Sequence, residues 1–283
     1  MKNLSTKLIS LLLISFTIPI ETKISIPKLP SSVSSFFSRS KEEIVYQEFS
    51  NVIELEVLCD HGNVFIETWT QPFVFVELKK QGSKEFLNNA GMKCLKKDPI
   101  LQVKTTLKED AASGTMTLRI FVPETLPVKI NASEGDISIK GLSGNIDAQT
   151  IDNTITITEG NGSVVAHTTT GDILVQRKNM STESCLNAQS EQGNITIAIP
   201  QDMRAEIQAK SPTGKIYSDL FVTVHPHTIL LNDEEFKKLR KNVHCSIGQS
   251  MTSKSESLMI LYSEQGTIKI THYESKKRKS NLK

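Results

Sequence analysis

The stretch Glu134–Val175, EGDISIKGLSGNIDAQTIDNTITITEGNGSVVAHTTTGDILV, says one short phrase five times. Gly135, Gly144, Asn153, Gly162 and Gly171 stand nine residues apart. Two residues after each comes Ile137, Ile146, Ile155, Val164 or Ile173. Four after comes Ile139, Ala148, Ile157, Ala166 or Val175, with polar residues such as Ser138, Asp147 and Thr156 between. Alternation of this kind marks a strand with one buried face. The recurring glycine marks a turn that needs positive φ. Asn153 fits the same slot, because asparagine is the common non-glycine residue that accepts a left-handed backbone.

Working outward, the phrase returns with looser spacing at Gly193 in SEQGNITI, Gly214 in SPTGKIYS and Gly266 in SEQGTIKI. It also stands far upstream at Gly62, followed by Val64 and Ile66. A strand of about 17 Å cannot bury its apolar face alone, but stacked copies cover one another. Two units make an 18-residue coil. Coils stacked about 4.8 Å apart make an all-β solenoid with aliphatic ladders inside. A meander folded into a sandwich shows the same alternation, but its hairpin loops vary more in length than these glycines do.

The rest of the chain divides around this repeat. Lys2 and Lys7 precede the apolar run Leu8–Ile20, too short for a membrane span and suited to a secretory signal over residues 1–22. A Ser- and Pro-rich linker follows over 23–43, then the repeat domain over 44–273 and a basic tail over 274–283. Residues 221–257 form an insertion whose segment Asn232–Asn242 has acids first and bases last, the pattern of a short helix. The reading is therefore an exported protein of the periplasm, envelope or cell surface, not an integral membrane protein once the signal is cleaved. A formal net charge of +2 gives no reason to expect nucleic acid.

The chemistry-bearing residues are sparse. Cys59, Cys94, Cys185 and Cys245 contain no C-x-x-C pair, and export permits disulfides among them in any of three pairings. His225, His227, His244 and Cys245 could approach a zinc ion, but they also suit an exposed loop. The outward slot after each turn residue holds Asp136, Asn145, Thr154, Ser163 and Asp172. Two carboxylates two rungs apart, with no Arg or His in the ladder, make a poor active site. No catalytic, cofactor or metal residues are expected.

The phrases ASEGDISI, TTTGDILV and SEQGNITI resemble the bacterial adhesin-like β-strand-repeat family, a domain of unknown function. The upstream stretch LEVLCDHGNVFIETWTQPFVFVELKK looks like that family's opening, and the likeness runs from about Glu48 to Tyr273. It implies a non-enzymatic exported scaffold and a partner such as an envelope polymer or surface protein. Two other functions fit the residues: a binding module that uses the 221–257 insertion, and a polysaccharide-acting enzyme on a β-helix.

Overall fold

The nine-residue units become strands that alternate between two sheets. A computed structural model of the chain describes residues 41–108, 113–178, 184–200, 203–220, 222–224, 242–247 and 257–273. The first sheet is built from β1 (Lys41–Ser50), β3 (Asn63–Trp69), β4 (Phe73–Gly82), β7 (Gly114–Pro123), β9 (Ile137–Lys140), β11 (Ile155–Thr158), β13 (Ile173–Gln176), β15 (Ile195–Ile199), β17 (Ile216–Ser218) and β21 (Ile268–His272). The second holds β2 (Glu54–Cys59), β5 (Ala90–Lys97), β6 (Ile100–Leu107), β8 (Val128–Ala132), β10 (Ile146–Thr150), β12 (Val164–Thr168), β14 (Leu186–Ser190), β16 (Ala205–Lys210), β18 (Val222–Val224), β19 (Asn242–Ile247) and β20 (Ser257–Ser263).

Parallel pairing sets Ile155 opposite Ile137 and Ile173, and Val164 opposite Ile146, so one coil is 18 residues. Each coil crosses both sheets, and the core lies between them. Val64, Ile137, Ile155, Ile173, Ile195 and Ile268 form one buried ladder. Val128, Ile146, Val164, Leu186 and Met259 form its counterpart in the second sheet. Full burial of an aliphatic side chain stabilises by about 1.5–3 kcal/mol, and the ladders repeat that gain at every rung.

The coils do not stack in chain order at either end. The coil β20–β21, last in the chain, lies between β14–β15 and β16–β17. The coil β2–β3, first in the chain, lies between β6–β7 and β8–β9. Each terminal coil is thus paired in parallel on both sides. Antiparallel strands close the ends: β4 and β1 on β7, β5 on β6, and β19 with β18 on β16. Near the first end, helix α1 (Lys84–Asn89) buries Phe86 and Leu87, and Ser83 accepts the Phe86 amide as its N-cap.

Several expectations change. Asn153 does not adopt positive φ. Among the glycines of the repeat, only Gly62 and Gly135 do, with Gly141 beside them. β1 begins at Lys41, inside the stretch read as linker. The helix expected over Asn232–Asn242 lies outside the described residues except Asn242, which opens strand β19. The insertion is also not wholly a loop, because β19 pairs along β16 and buries Cys245 and Ile247. The signal, the tail and most of the linker lie outside the described residues.

Candidate functional site

The turn residues are explained by stacking. A Cβ at Gly171 would overlap the Asn153 carbonyl oxygen, and one at Gly193 the Gly171 carbonyl oxygen. Gly266 stands in the same relation to Gly193, Gly214 to Gly266, Gly162 to Gly144, Gly144 to Leu126, and Gly135 to Gly62. At Gly62 itself a Cβ would lie 2.6 Å from the Met116 carbonyl oxygen. Close approach between coils, more than left-handed backbone, is what selects glycine at this corner.

The Ser or Thr three residues earlier completes the corner. Ser190 Oγ accepts from the Gly193 amide at 2.8 Å and donates to the Gly171 carbonyl at 3.0 Å. Ser263 Oγ does the same for the Gly266 amide, at 2.9 Å, and the Gly193 carbonyl, at 2.8 Å. Thr168 accepts from the Gly171 amide at 3.1 Å, and Ser211 donates to the Gly266 carbonyl at 2.8 Å. All four side chains are buried, and each bond answers a polar group that packing would otherwise strand. Thr150 is the exception. It stands three before Asn153, which brings a Cβ to a corner otherwise flanked by Gly135 and Gly171, and among the described residues its buried hydroxyl has no partner.

The outward acids are structural too. Asp136 Oδ1 accepts the Thr154 amide of the next coil at 3.0 Å, and Asp172 Oδ1 accepts the Asn194 amide at 2.7 Å. Asn63 and Asn194 repeat the bond, to the amides of Asp136 and Thr267, both at 2.9 Å. These side chains extend the ladder past the strand ends, so neither Asp136 nor Asp172 is poised for acid–base work.

The remaining polar candidates disperse. His244 lies 2.7 Å from Glu206 on the outer face, whereas Cys245 beside it is buried, so the two cannot share an ion. His225 and His227 lie outside the described residues, among which no His, Cys, Asp and Glu cluster fit for a metal occurs. All four cysteines are free thiols. Burial pushes Cys59 and Cys245 up and Cys94 up to about 11, which keeps these thiols protonated and poor nucleophiles. His61 Nδ1 sits 2.7 Å from Glu134 Oε2 above a groove of about 370 Å³ floored by Phe86, Leu107 and Met116.

The feature that packing does not require lies on the outer face of the first sheet. Where Val74, Val76, Leu118, Ile120, Val64 and Ile66 point inward, the alternating residues of β1, β4, β7 and β3 point out. Five aromatic side chains converge there. Trp69 packs edge-on to Phe73 with ring centroids 4.7 Å apart, and lies 5.6 Å from Phe121 and 6.0 Å from Phe75. Phe75 lies 6.1 Å from Phe121 and stacks on Tyr46 at 5.8 Å. Trp69 Nε1 donates to the Phe73 carbonyl at 2.9 Å, which fixes its ring. Beside them the Arg119 guanidinium lies 5.9 Å from the centre of the Phe65 ring. Phe73, Phe75, Trp69 and Phe121 are half-buried, and Tyr46 is 40% exposed. The chain has only 16 aromatic residues, so five on one face is a concentration, not a sampling. The signal was present in WTQPFVF, where Trp69, Phe73 and Phe75 share a parity opposite to the buried Val74.

The family model Toastrack DUF4097 matches residues 104–242. Among curated proteins, none matches the sequence. A candidate cell adhesion protein from Clostridium sporogenes is similar in structure, with 14% identity, a TM-score of 0.49, and coverage of 83% of this chain and 100% of its own. A candidate adhesin from Bacteroides fragilis is 12% identical at a TM-score of 0.42, covering 81% and 97%. A candidate lipid binding protein from Parabacteroides distasonis is 10% identical at a TM-score of 0.26, covering 82% and 97%. No helix among the described residues is long and apolar enough to cross a membrane. Over residues 104–242, just under half of its length, the chain is thus similar to the Toastrack family.

Proposed function

We propose that this chain is a non-enzymatic scaffold, exported to the cell envelope or surface, that adheres to a partner through the aromatic face of Tyr46, Trp69, Phe73, Phe75 and Phe121. One observation carries the reading: the aromatic cluster stands on the outside of a sheet whose inside already satisfies the core. Aromatic side chains are large contact surfaces that lose little entropy when held, and here their neighbours hold them in advance. The charged start and apolar run of the N-terminus support export. The occupation of Asp136 and Asp172 by backbone amides favours a scaffold over a glycan-cleaving enzyme.

The test is adsorption of the mature chain to isolated bacterial cell envelopes, followed by its depletion from solution. Replacing Trp69 and Phe121 together by alanine should weaken adsorption at least tenfold while melting stays cooperative. Undiminished adsorption of that double variant would overturn the reading.

A further inference from the structure

The aromatic face has a chemistry that narrows its ligand, on the reading that this face is where the protein binds. Tyr46, Phe75, Phe121 and Trp69 lie on the successive strands β1, β4, β7 and β3. With strands about 4.8 Å apart, the rings span roughly 14 Å in a shallow row across the sheet. Charged groups are interleaved with them on the same side. Glu48, Glu67 and Glu77 share the face with Arg119 and Lys140, and Lys79 is paired with Glu42 at 2.9 Å. Four carboxylates against three cations leave the face with almost no net charge.

That balance discriminates. A polyanion or a polycation meets as much repulsion as attraction there. A bilayer interior would strip water from the carboxylates of Glu67 and Glu77 at a cost the rings do not offset. A hydroxyl-rich chain meets no such conflict. Carboxylates accept from hydroxyls and the guanidinium donates to them. The C–H faces of sugar rings stack on the electron-rich faces of aromatic rings. We propose that this face takes a neutral polysaccharide strand laid across β1, β4, β7 and β3, with Trp69 and Phe121 as the central stacking platform.

Trp69 is the only tryptophan of the chain, so its emission reports the face directly. The mature full-length protein is run in native gels cast with hydroxyethyl cellulose, galactomannan or polygalacturonate, and titrated with the same polymers while emission is followed. The expected result is retardation by at least one neutral polymer, with a shift in Trp69 emission, and none by polygalacturonate. Phe121→Ala should weaken that retardation at least tenfold. Tyr46→Ala, on an exposed edge strand that leaves the core intact, should weaken it severalfold. The inference is overturned if no neutral polymer retards the protein or if the polyanion alone does. It is also overturned if Trp69 responds instead to phosphatidylcholine–phosphatidylglycerol vesicles or to self-association seen in sedimentation. Loss of envelope adsorption in the Trp69 and Phe121 double variant, without any response to neutral polymers, would remove this inference and leave the binding face standing. Undiminished adsorption of that variant would remove both.

Discussion

Asn153 shows how a single Cβ is felt in a stacked corner. Its ladder neighbours Gly135 and Gly171, and Gly62, Gly193, Gly266 and Gly214 beyond them, are glycine, because the carbonyl of the neighbouring coil sits where a side chain would begin. At the Asn153 rung the hydroxyl of Thr150 has lost the bonds that Ser190 and Ser263 make at theirs. Thr150→Val therefore removes a stranded polar group and should be neutral or stabilising by up to about 1 kcal/mol, whereas Ser190→Ala should cost about 1–3 kcal/mol in denaturant melts. Equal losses would contradict the hydrogen-bond ladder. Arg177 makes a parallel case. It is fully buried, its Nη1 donates to Ser184, and among the described residues its Nε and Nη2 have no hydrogen-bond partner. Burial lowers its pKa to about 10, the mark of a charge held at a cost. Arg177→Met should raise stability by about 1–3 kcal/mol; a loss of that size would show that the guanidinium is satisfied after all. The sequence announced the corner by its glycine spacing but not its cause. A nine-residue period is equally consistent with a left-handed turn and with close stacking, and only the distance between coils separates them.

At the scale of the strand, the alternation that the sequence displays is the alternation the structure keeps. Ile155 is fully buried between Ile137 and Ile173, and Thr156 beside it reaches solvent. Ile155→Ala should cost about 2–5 kcal/mol as a cavity, and Thr156→Ala little. Chemical melts that give the two the same loss would reverse the in–out assignment. Legibility fails where an element is short or borrowed. Helix α1 has six residues, too few for a period of 3.6 to show, and its one sequence signal is Ser83 as N-cap. Strand β19 sits in an insertion and pairs antiparallel with β16, outside the glycine register that made the other strands visible. The aromatic face was legible in parity but not in meaning, since outward aromatics on neighbouring strands are neighbours only once the strand order is known.

The order of the coils is a property of the whole molecule. Spacing along the chain sets the Gly214 coil beside the Gly193 coil, whereas the structure places the Gly266 coil between them. In a solenoid stacked in chain order, trimming the last coil shortens the stack by one rung. Here, removing residues 257–283 takes out an interior rung and leaves β14 and β16 without the strand that joins them. That truncation should abolish cooperative melting of the C-terminal coils instead of lowering stability by one rung's share. A truncated chain that melts like the parent would refute the intercalated order. The same scale holds the functional claim, because the aromatic face and the 221–257 insertion are separate parts of the chain and only one need be covered when a partner binds. Hydroxyl-radical footprinting of the mature protein, alone and bound to cell-envelope polymer, measures this side chain by side chain. The account predicts that binding slows oxidation of Tyr46, Trp69, Phe73, Phe75 and Phe121 severalfold and leaves the 221–257 peptides unchanged. Protection confined to 221–257, with the five aromatics oxidised as fast as before, would contradict it.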